Sequence, residues 1–206
     1  MSIAIIDYGA GNIRSVQKAL EKLGFSSFVT KDKSEISSSH GIIFPGVGAF
    51  DSALKELKSH GIDSLLRSQI QECKPFLGLC LGMQLLFEKS EEGREKGLGL
   101  IKGKVKKFVF NKSDGLKIPH MGWNNISIKK TSCPLMNNIP QNAKVYFVHS
   151  YYCEPMISDD TLTETDYGIK FSSSVSQDNL FALQFHPEKS GEIGLEILRN
   201  FGGLCK

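Results

Sequence analysis

Two short spacings in this chain are suited to covalent chemistry: Gly78-Leu79-Cys80-Leu81-Gly82 and His186-Pro187-Glu188. A cysteine thiolate is a strong nucleophile, and it works with a base that takes its proton and later returns it to a leaving group. His186 is the histidine best placed to be that base. Residues i and i+2 of an extended segment share a face, and a proline favours extension of the residue before it. Glu188 is therefore set to hold the His186 ring, fixing its tautomer and stabilising the imidazolium. Each motif also has a plain structural reading. Most free cysteines are small buried hydrophobes, and a histidine and a glutamate after a strand are often a loop residue and a solvated one. What favours chemistry is that both motifs fall at the ends of apolar runs within one chain of 206 residues.

Those residues need strands that stop where they stand, and the pattern supplies them. Apolar runs at 3–6, 25–30, 41–46 and 75–79 read as strands. Between them, helical spacing recurs: Ile13, Val16, Leu20 and Leu23 ending at Gly24, then 52–70 with a break near Gly61, then a helix after Cys80 through 81–90. Strand–helix alternation with apolar strands implies a parallel sheet covered on both faces. In the second half, strand-like runs broken by Asn, Pro, Gly and Asp follow one another, and a last helix is expected over 191–201. The expected fold is α/β, one domain over 1–206, with a mostly parallel central sheet flanked by helices and antiparallel strands added late.

In such sheets, sites gather at the carboxyl ends of the strands. A sharp strand-to-helix turn at Cys80 needs small neighbours, which Gly78 and Gly82 provide. The start of a helix favours thiolate, and the Leu81 amide would face the oxyanion of a carbonyl under attack. The segment 45–50, PGVGAF, ends the third strand, where glycine-rich turns cradle phosphate or supply oxyanion amides. It matches neither a dinucleotide fingerprint nor a Walker loop, and DYGAGN at 7–12 also lacks the rest of such a fingerprint.

Composition narrows the partners. A net charge of +3 argues against a binder of nucleic acid, and the lysines of 102–107 and 129–130 read as a solvated strand face. The cysteines are Cys73, Cys80, Cys133, Cys153 and Cys205, an odd number without a C-x-x-C pair, which favours neither a disulfide framework nor a zinc site. No apolar run reaches the ~18 residues of a membrane span, and the N-terminus does not read as a signal peptide. A cytoplasmic chain with reduced thiols is expected, with no metal and no cofactor.

The segments GLCLGMQ and FHPEKS together resemble the two signatures of the class I (triad) glutamine amidotransferases, a flavodoxin-like fold. The likeness extends through DYGAGNIRSV, PGVGAF, GLCLGMQLLFE, IPHMGWN and HSYY, in order and over nearly the whole chain. It implies that Cys80 is the nucleophile, His186 the general base and acid, and Glu188 its orienting partner. It implies an oxyanion hole from the amides of Leu81 and Val47, and a glutamine pocket built by Gly46, Gln84, Glu92, Ser150 and Tyr151. It also implies a partner, a HisF-type (β/α)8-barrel cyclase that receives the ammonia and makes imidazole glycerol phosphate and AICAR ribonucleotide. Asn12 and Trp123 would face that partner, although composition alone makes a lone tryptophan a core residue.

Other readings stay open at the level of sequence. A paralogue of the same family would supply ammonia for amidating a surface sugar. A cysteine variant of the α/β-hydrolases would place its acid well before His186, and a docking subunit would keep the fold without the chemistry. Glutamine hydrolysis without an acceptor is wasteful, and Gly46 and Gly48 make a peptide rotation cheap. The Val47 amide is therefore expected to be misaimed in the isolated chain.

Overall fold

The structure, a computed structural model, describes residues 2–9, 13–111, 113 and 115–206. Its first half runs β1 (Ser2–Ile6), α1 (Ile13–Lys22), β2 (Ser26–Thr30), α2 (Lys33–Ser38), β3 (Gly41–Gly46), α3 (Phe50–Ser59), α4 (Ile62–Gln71), β4 (Phe76–Cys80) and α5 (Leu81–Gln84). The second half runs β5 (Lys89–Ser90), β6 (Gly103–Lys107), β7 (His120–Asn125), β8 (Ser127–Ile128), β9 (Lys144–His149), β10 (Tyr151–Pro155), β11 (Thr161–Asp166), β12 (Lys170–Gln177), β13 (Leu180–Leu183) and α6 (Gly191–Leu204). The main sheet is ordered β2-β1-β3-β4-β13-β12-β10-β6-β5, with β11 on β12 and β8 on β11; β7 and β9 pair separately. From β2 to β13 the pairings are parallel. Beyond β13 they turn antiparallel at β12, β10 and β6.

Period-2 alternation sorts the two cores. Ile3, Ile5, Ile43 and Leu77 face one layer, where Val16 and Leu20 of α1 and Ile197, Leu198 and Phe201 of α6 cover them. Ile6, Ile42, Phe44 and Phe76 face the other, against Leu54 and Leu57 of α3 and Ile62 and Leu66 of α4. Burying each such side chain contributes about 1.5–3 kcal/mol. The strand ends at Gly46 and Cys80 are thus fixed by a core on each side.

Several expectations change in detail. The break expected near Gly61 within 52–70 is present: α3 and α4 meet at Gly61, in the left-handed region at φ +59. The helix expected through 81–90 stops after one turn, at Gln84. The next carbonyls are taken by another segment: Leu98 N–H donates to Leu85 O at 2.8 Å and Leu100 N–H to Leu86 O at 2.8 Å. A four-residue helix has no long dipole, so the field it adds at its N-terminus is that of its first-turn amides. The strand-like run KVYFVHSYY, 144–152, is split at Ser150 into β9 and β10. Lys104 and Lys106 flank the buried Val105 and reach Glu154, each at 3.4 Å, as a solvated strand face does. Cys73, exposed and at φ +61, closes the end of α4.

Candidate active site

Cys80 ends β4 with φ 53 and ψ −109, outside the regions an L-residue prefers. Strain of this kind persists only where the surroundings over-determine it, and here they do. A Cβ on Gly82 would come within 1.9 Å of the Phe44 carbonyl oxygen, and one on Gly78 within 3.0 Å of the Gly82 oxygen. The glycines on both sides of Cys80 are therefore required by close backbone approach. In the β3–β4 register Gly46 stands opposite Cys80, which places the PGVG segment beside the sulfur.

The loop after β13 brings up His186 and Glu188. His186 Nδ1 donates to Glu188 Oε1 at 2.9 Å, with both side chains almost fully buried. Ser190 Oγ donates to the His186 carbonyl at 2.6 Å and accepts the Tyr146 amide at 2.9 Å, locking this turn onto β9. Burial alone would lower the His186 pKa. The hydrogen bonds and charges of Cys80 and Glu188 overcome it and raise the value to about 10. The ring therefore holds its proton beside the sulfur at neutral pH. Around that sulfur, Gln184 Nε2 donates from 3.7 Å and the Val148 carbonyl lies at 3.9 Å.

A cleft of about 340 Å³ opens over this group. It is lined by Val47, Gly48, Cys80 and Leu81, by Gln84, Glu92, Ser150 and Tyr151, and by Pro119, Val148, His149, His186 and Lys189. Gly46 is the exception among the expected pocket residues. It lies beneath the cleft rather than on its wall, because its α-carbon is packed against the Tyr8 hydroxyl, Leu81 and the Gly82 amide.

Glu92 reaches the cleft by a braced loop. Asp51 accepts the amides of Arg94, at 3.0 and 3.1 Å, and Glu95, at 3.0 Å. Those amides hold the Asp51 pKa below the usual range. A Cβ on Gly93 would come within 1.9 Å of Asp51, so a side chain there would displace that carboxylate. Glu92 itself accepts the Phe50 amide at 3.2 Å at the start of α3. Its half-burial raises its pKa, against the lowering by that amide.

Residues that sequence reasoning passed over, Gln184, His149 and His120, brace the lining residues Gln84 and Tyr151. Gln84 Nε2 donates to Gln184 Oε1 at 3.0 Å and to the Tyr151 carbonyl at 3.3 Å. That carbonyl also takes His149 Nδ1–H at 2.7 Å. A carbonyl only accepts, so His149 carries its proton on Nδ1 and accepts on Nε2 from His120 Nδ1 at 2.9 Å. His120 Nε2 in turn accepts from Asn124 at 3.3 Å. Burial lowers the pKa of His120 to about 4 and, first among the causes, that of His149 to about 3. Both rings are neutral, and their tautomers follow from one carbonyl. The sequence signal was the inward alternation Val145, Phe147, His149 in β9.

Of the two expected partner-facing residues, Asn12 lies outside the described residues. Trp123 is 56% exposed on the outer face of β7, beside Met121 at 63%, and so is not a core tryptophan. Among the described residues no group of His, Cys, Asp and Glu is arranged to hold a metal ion.

The comparisons with known proteins agree with this geometry. The family described as Glutamine amidotransferase class-I matches residues 4–203. The imidazole glycerol phosphate synthase subunit HisH of Caldanaerobacter subterraneus subsp. tengcongensis is 48% identical over 205 residues, covering 99% of this chain and 98% of that protein. HisH of Moorella thermoacetica is 47% identical, covering 99% and 95%. Among solved structures, PurLQS from Thermotoga maritima superposes with a TM-score of 0.78 at 19% identity over 100% of this chain and 99% of that one, a likeness of fold alone. With the family matched over almost the whole length and nearly half of the residues shared with such relatives, the chain belongs to the class-I glutamine amidotransferases, in the branch of the HisH subunits of imidazole glycerol phosphate synthase.

Proposed function

We propose that this chain, as a single domain over 1–206, hydrolyses glutamine and passes the ammonia to a HisF-type (β/α)8-barrel cyclase in a heterodimer. That partner would use it to make imidazole glycerol phosphate and AICAR ribonucleotide in histidine biosynthesis. The observation that carries this reading is a strained cysteine held beside a protonated, carboxylate-bound histidine at the floor of a cleft sized for a small ligand. The HisH names of the relatives support the acceptor.

The Cys80 thiolate attacks the side-chain amide carbon of glutamine, and the carbonyl oxygen becomes an oxyanion facing the amides of Leu81 and Val47. As the C–N bond breaks, His186 gives its Nε2 proton to the departing nitrogen, and ammonia leaves. Water then attacks the thioester while His186 takes a proton from it. The C–S bond breaks, and glutamate and the thiolate are released. Glu188 holds the ring throughout by its Nδ1 bond. Glu92 would accept the ammonium of the substrate, with Gln84 and the backbone at Ser150 and Tyr151 along its length. Gly46 acts from below, by keeping the wall close. Trp123 belongs to the face that meets the cyclase, Asn12, outside the described residues, would contact the same partner, and the Val47 amide turns into place only in the assembled enzyme. No described helix is long and apolar enough to cross a membrane, and the reaction belongs to the cytoplasm.

The test is glutamate release from glutamine by the chain alone, with the cyclase, and with the cyclase and its ribonucleotide substrate, against Cys80→Ala. Strong stimulation by the ribonucleotide, absent in Cys80→Ala, is expected. Cys80-dependent hydrolysis that ignores the ribonucleotide would move the acceptor to a sugar, and equal activity with and without partner would overturn the proposed turn of Val47.

A further inference from the structure

Tyr8 carries a buried hydroxyl that the mechanism above leaves without a task. It follows β1, its ring packs on Phe44 with centroids 5.3 Å apart, and it is 4% exposed. Among the described residues its oxygen has no hydrogen-bond partner. A buried donor left unpaired is destabilising, and phenylalanine would avoid this in the same space. The hydroxyl lies against Gly46, where a Cβ would come within 2.3 Å of the Tyr8 oxygen.

Gly46 opens the segment that separates two spaces. Val47 and Gly48 wall the Cys80 cleft, and the same two residues wall a second cavity of about 470 Å³ that Tyr8, Gly9 and Ser52 line from the other side. Gly48 sits at φ +110, a conformation that suits glycine. Gly46 is buried, but Val47 and Gly48 after it are exposed, so the far side of the 46–47 peptide is not held by packing. Within one trans peptide the C=O and N–H point in opposite directions. When the Val47 N–H turns toward Cys80, the Gly46 carbonyl of the same unit turns away, to the Tyr8 side.

We propose that Tyr8 is a positioning residue for the oxyanion hole: its hydroxyl donates to the Gly46 carbonyl and so holds the Val47 N–H on the carbonyl oxygen of glutamine. This rests on the glutaminase reading above. Burial first, then the charge of Cys80, pushes the phenol's ionisation up, so it remains a donor across the working pH range. Tyr8 touches no substrate; it acts through the 46–47 peptide.

The test is Tyr8→Phe in the complex with the cyclase and its ribonucleotide. The expected result is a fall in kcat for glutamate release of about 10- to 100-fold, below the ~10²–10³ of losing an oxyanion donor outright, with KM for glutamine within about twofold. Alkylation of Cys80 by iodoacetamide builds no oxyanion and keeps its wild-type rate, and the melting temperature stays equal or rises. An unchanged kcat would overturn the proposal. So would a fall in alkylation that tracks kcat, which assigns Tyr8 to the thiol, or a lowered melting temperature with kcat and KM both altered, which makes it a packing residue. Absence of Cys80-dependent glutamate release in the unmutated complex would overturn the glutaminase reading itself, and is seen before the variant is compared.

Discussion

Two buried imidazole systems border the same cleft and are held in opposite charge states. His186 is raised to about 10, whereas His149 and His120 are lowered to about 3 and about 4. Burial pushes all three rings toward neutrality, so burial does not distinguish them. Their partners do. His186 meets the Glu188 carboxyl group and the Cys80 sulfur, whose hydrogen bonds and charges raise it, while His149 meets a backbone carbonyl and another imidazole. The charged ring holds a proton beside the Cys80 sulfur, as the proposed acid would. The neutral pair acts as a directional strut that fixes the Tyr151 carbonyl and with it the wall of the cleft.

The largest test of this contrast removes the charged site. Cys80→Ala or His186→Ala in the complex should lower glutamate release by at least about 10³-fold, since residues that act as a unit fail together, with the far-ultraviolet circular dichroism retained. Glu188→Gln should follow at about 10²–10⁴-fold. It should also slow iodoacetamide alkylation of Cys80 at pH 7, because the imidazolium loses its counter-charge; an unaltered alkylation rate would separate Glu188 from the charge state of the ring.

Breaking the neutral strut should look different. His149→Leu leaves the Tyr151 carbonyl and His120 Nδ1 without this partner, and is expected to cost about 1–3 kcal/mol in urea unfolding and to raise KM for glutamine several-fold more than it lowers kcat. The two systems also predict opposite pH dependence. His149 and His120 have lowered native values, so their contribution is complete above the unfolded value of about 6.5 and is lost as pH falls toward 3–4. His186 has a raised native value, so its contribution is complete below about 6.5 and is lost as pH rises toward 10. Unfolding midpoints between pH 7 and 5 should therefore fall less in His149→Leu than in the unmutated chain. The smallest effect is expected from Asp51→Asn, which loosens the loop under Glu92: a rise of a few-fold in KM with kcat unchanged.

Much of this was legible in the residues. The parallel strands announce themselves because they are buried on both faces and read as apolar runs. The elbow at Cys80 and the pair His186–Glu188 stand out because their chemistry demands particular types at particular spacings. Elsewhere the code is weaker. α2 has one buried apolar side chain, Ile36, and rests on its cap, with Asp32 accepting the amides of Ser34 at 2.8 Å and Glu35 at 3.0 Å. β11 is buried through hydroxyls, with Thr163 Oγ1 bonded to Ser173 at 2.8 Å and Ser174 at 2.6 Å, so a search for apolar alternation passes it by. The shortness of α5 is set by a segment more than ten residues later in the chain, which takes the carbonyls of Leu85 and Leu86. The strut of His120 and His149 joins residues 29 apart across β7 and β9, and no local pattern contains such a pairing.

The position of Cys73 has a practical consequence. Of the five cysteines it alone is exposed, while Cys133, Cys153 and Cys205 are enclosed. Any thiol reagent added to the folded chain thus meets two addresses, the solvent-facing Cys73 and the cleft-facing Cys80. Bulk readings of label uptake would blend a reporter of accessibility with a reporter of reactivity. A Cys73→Ser background removes the first, and leaves a chain in which one mole of label counts one competent site.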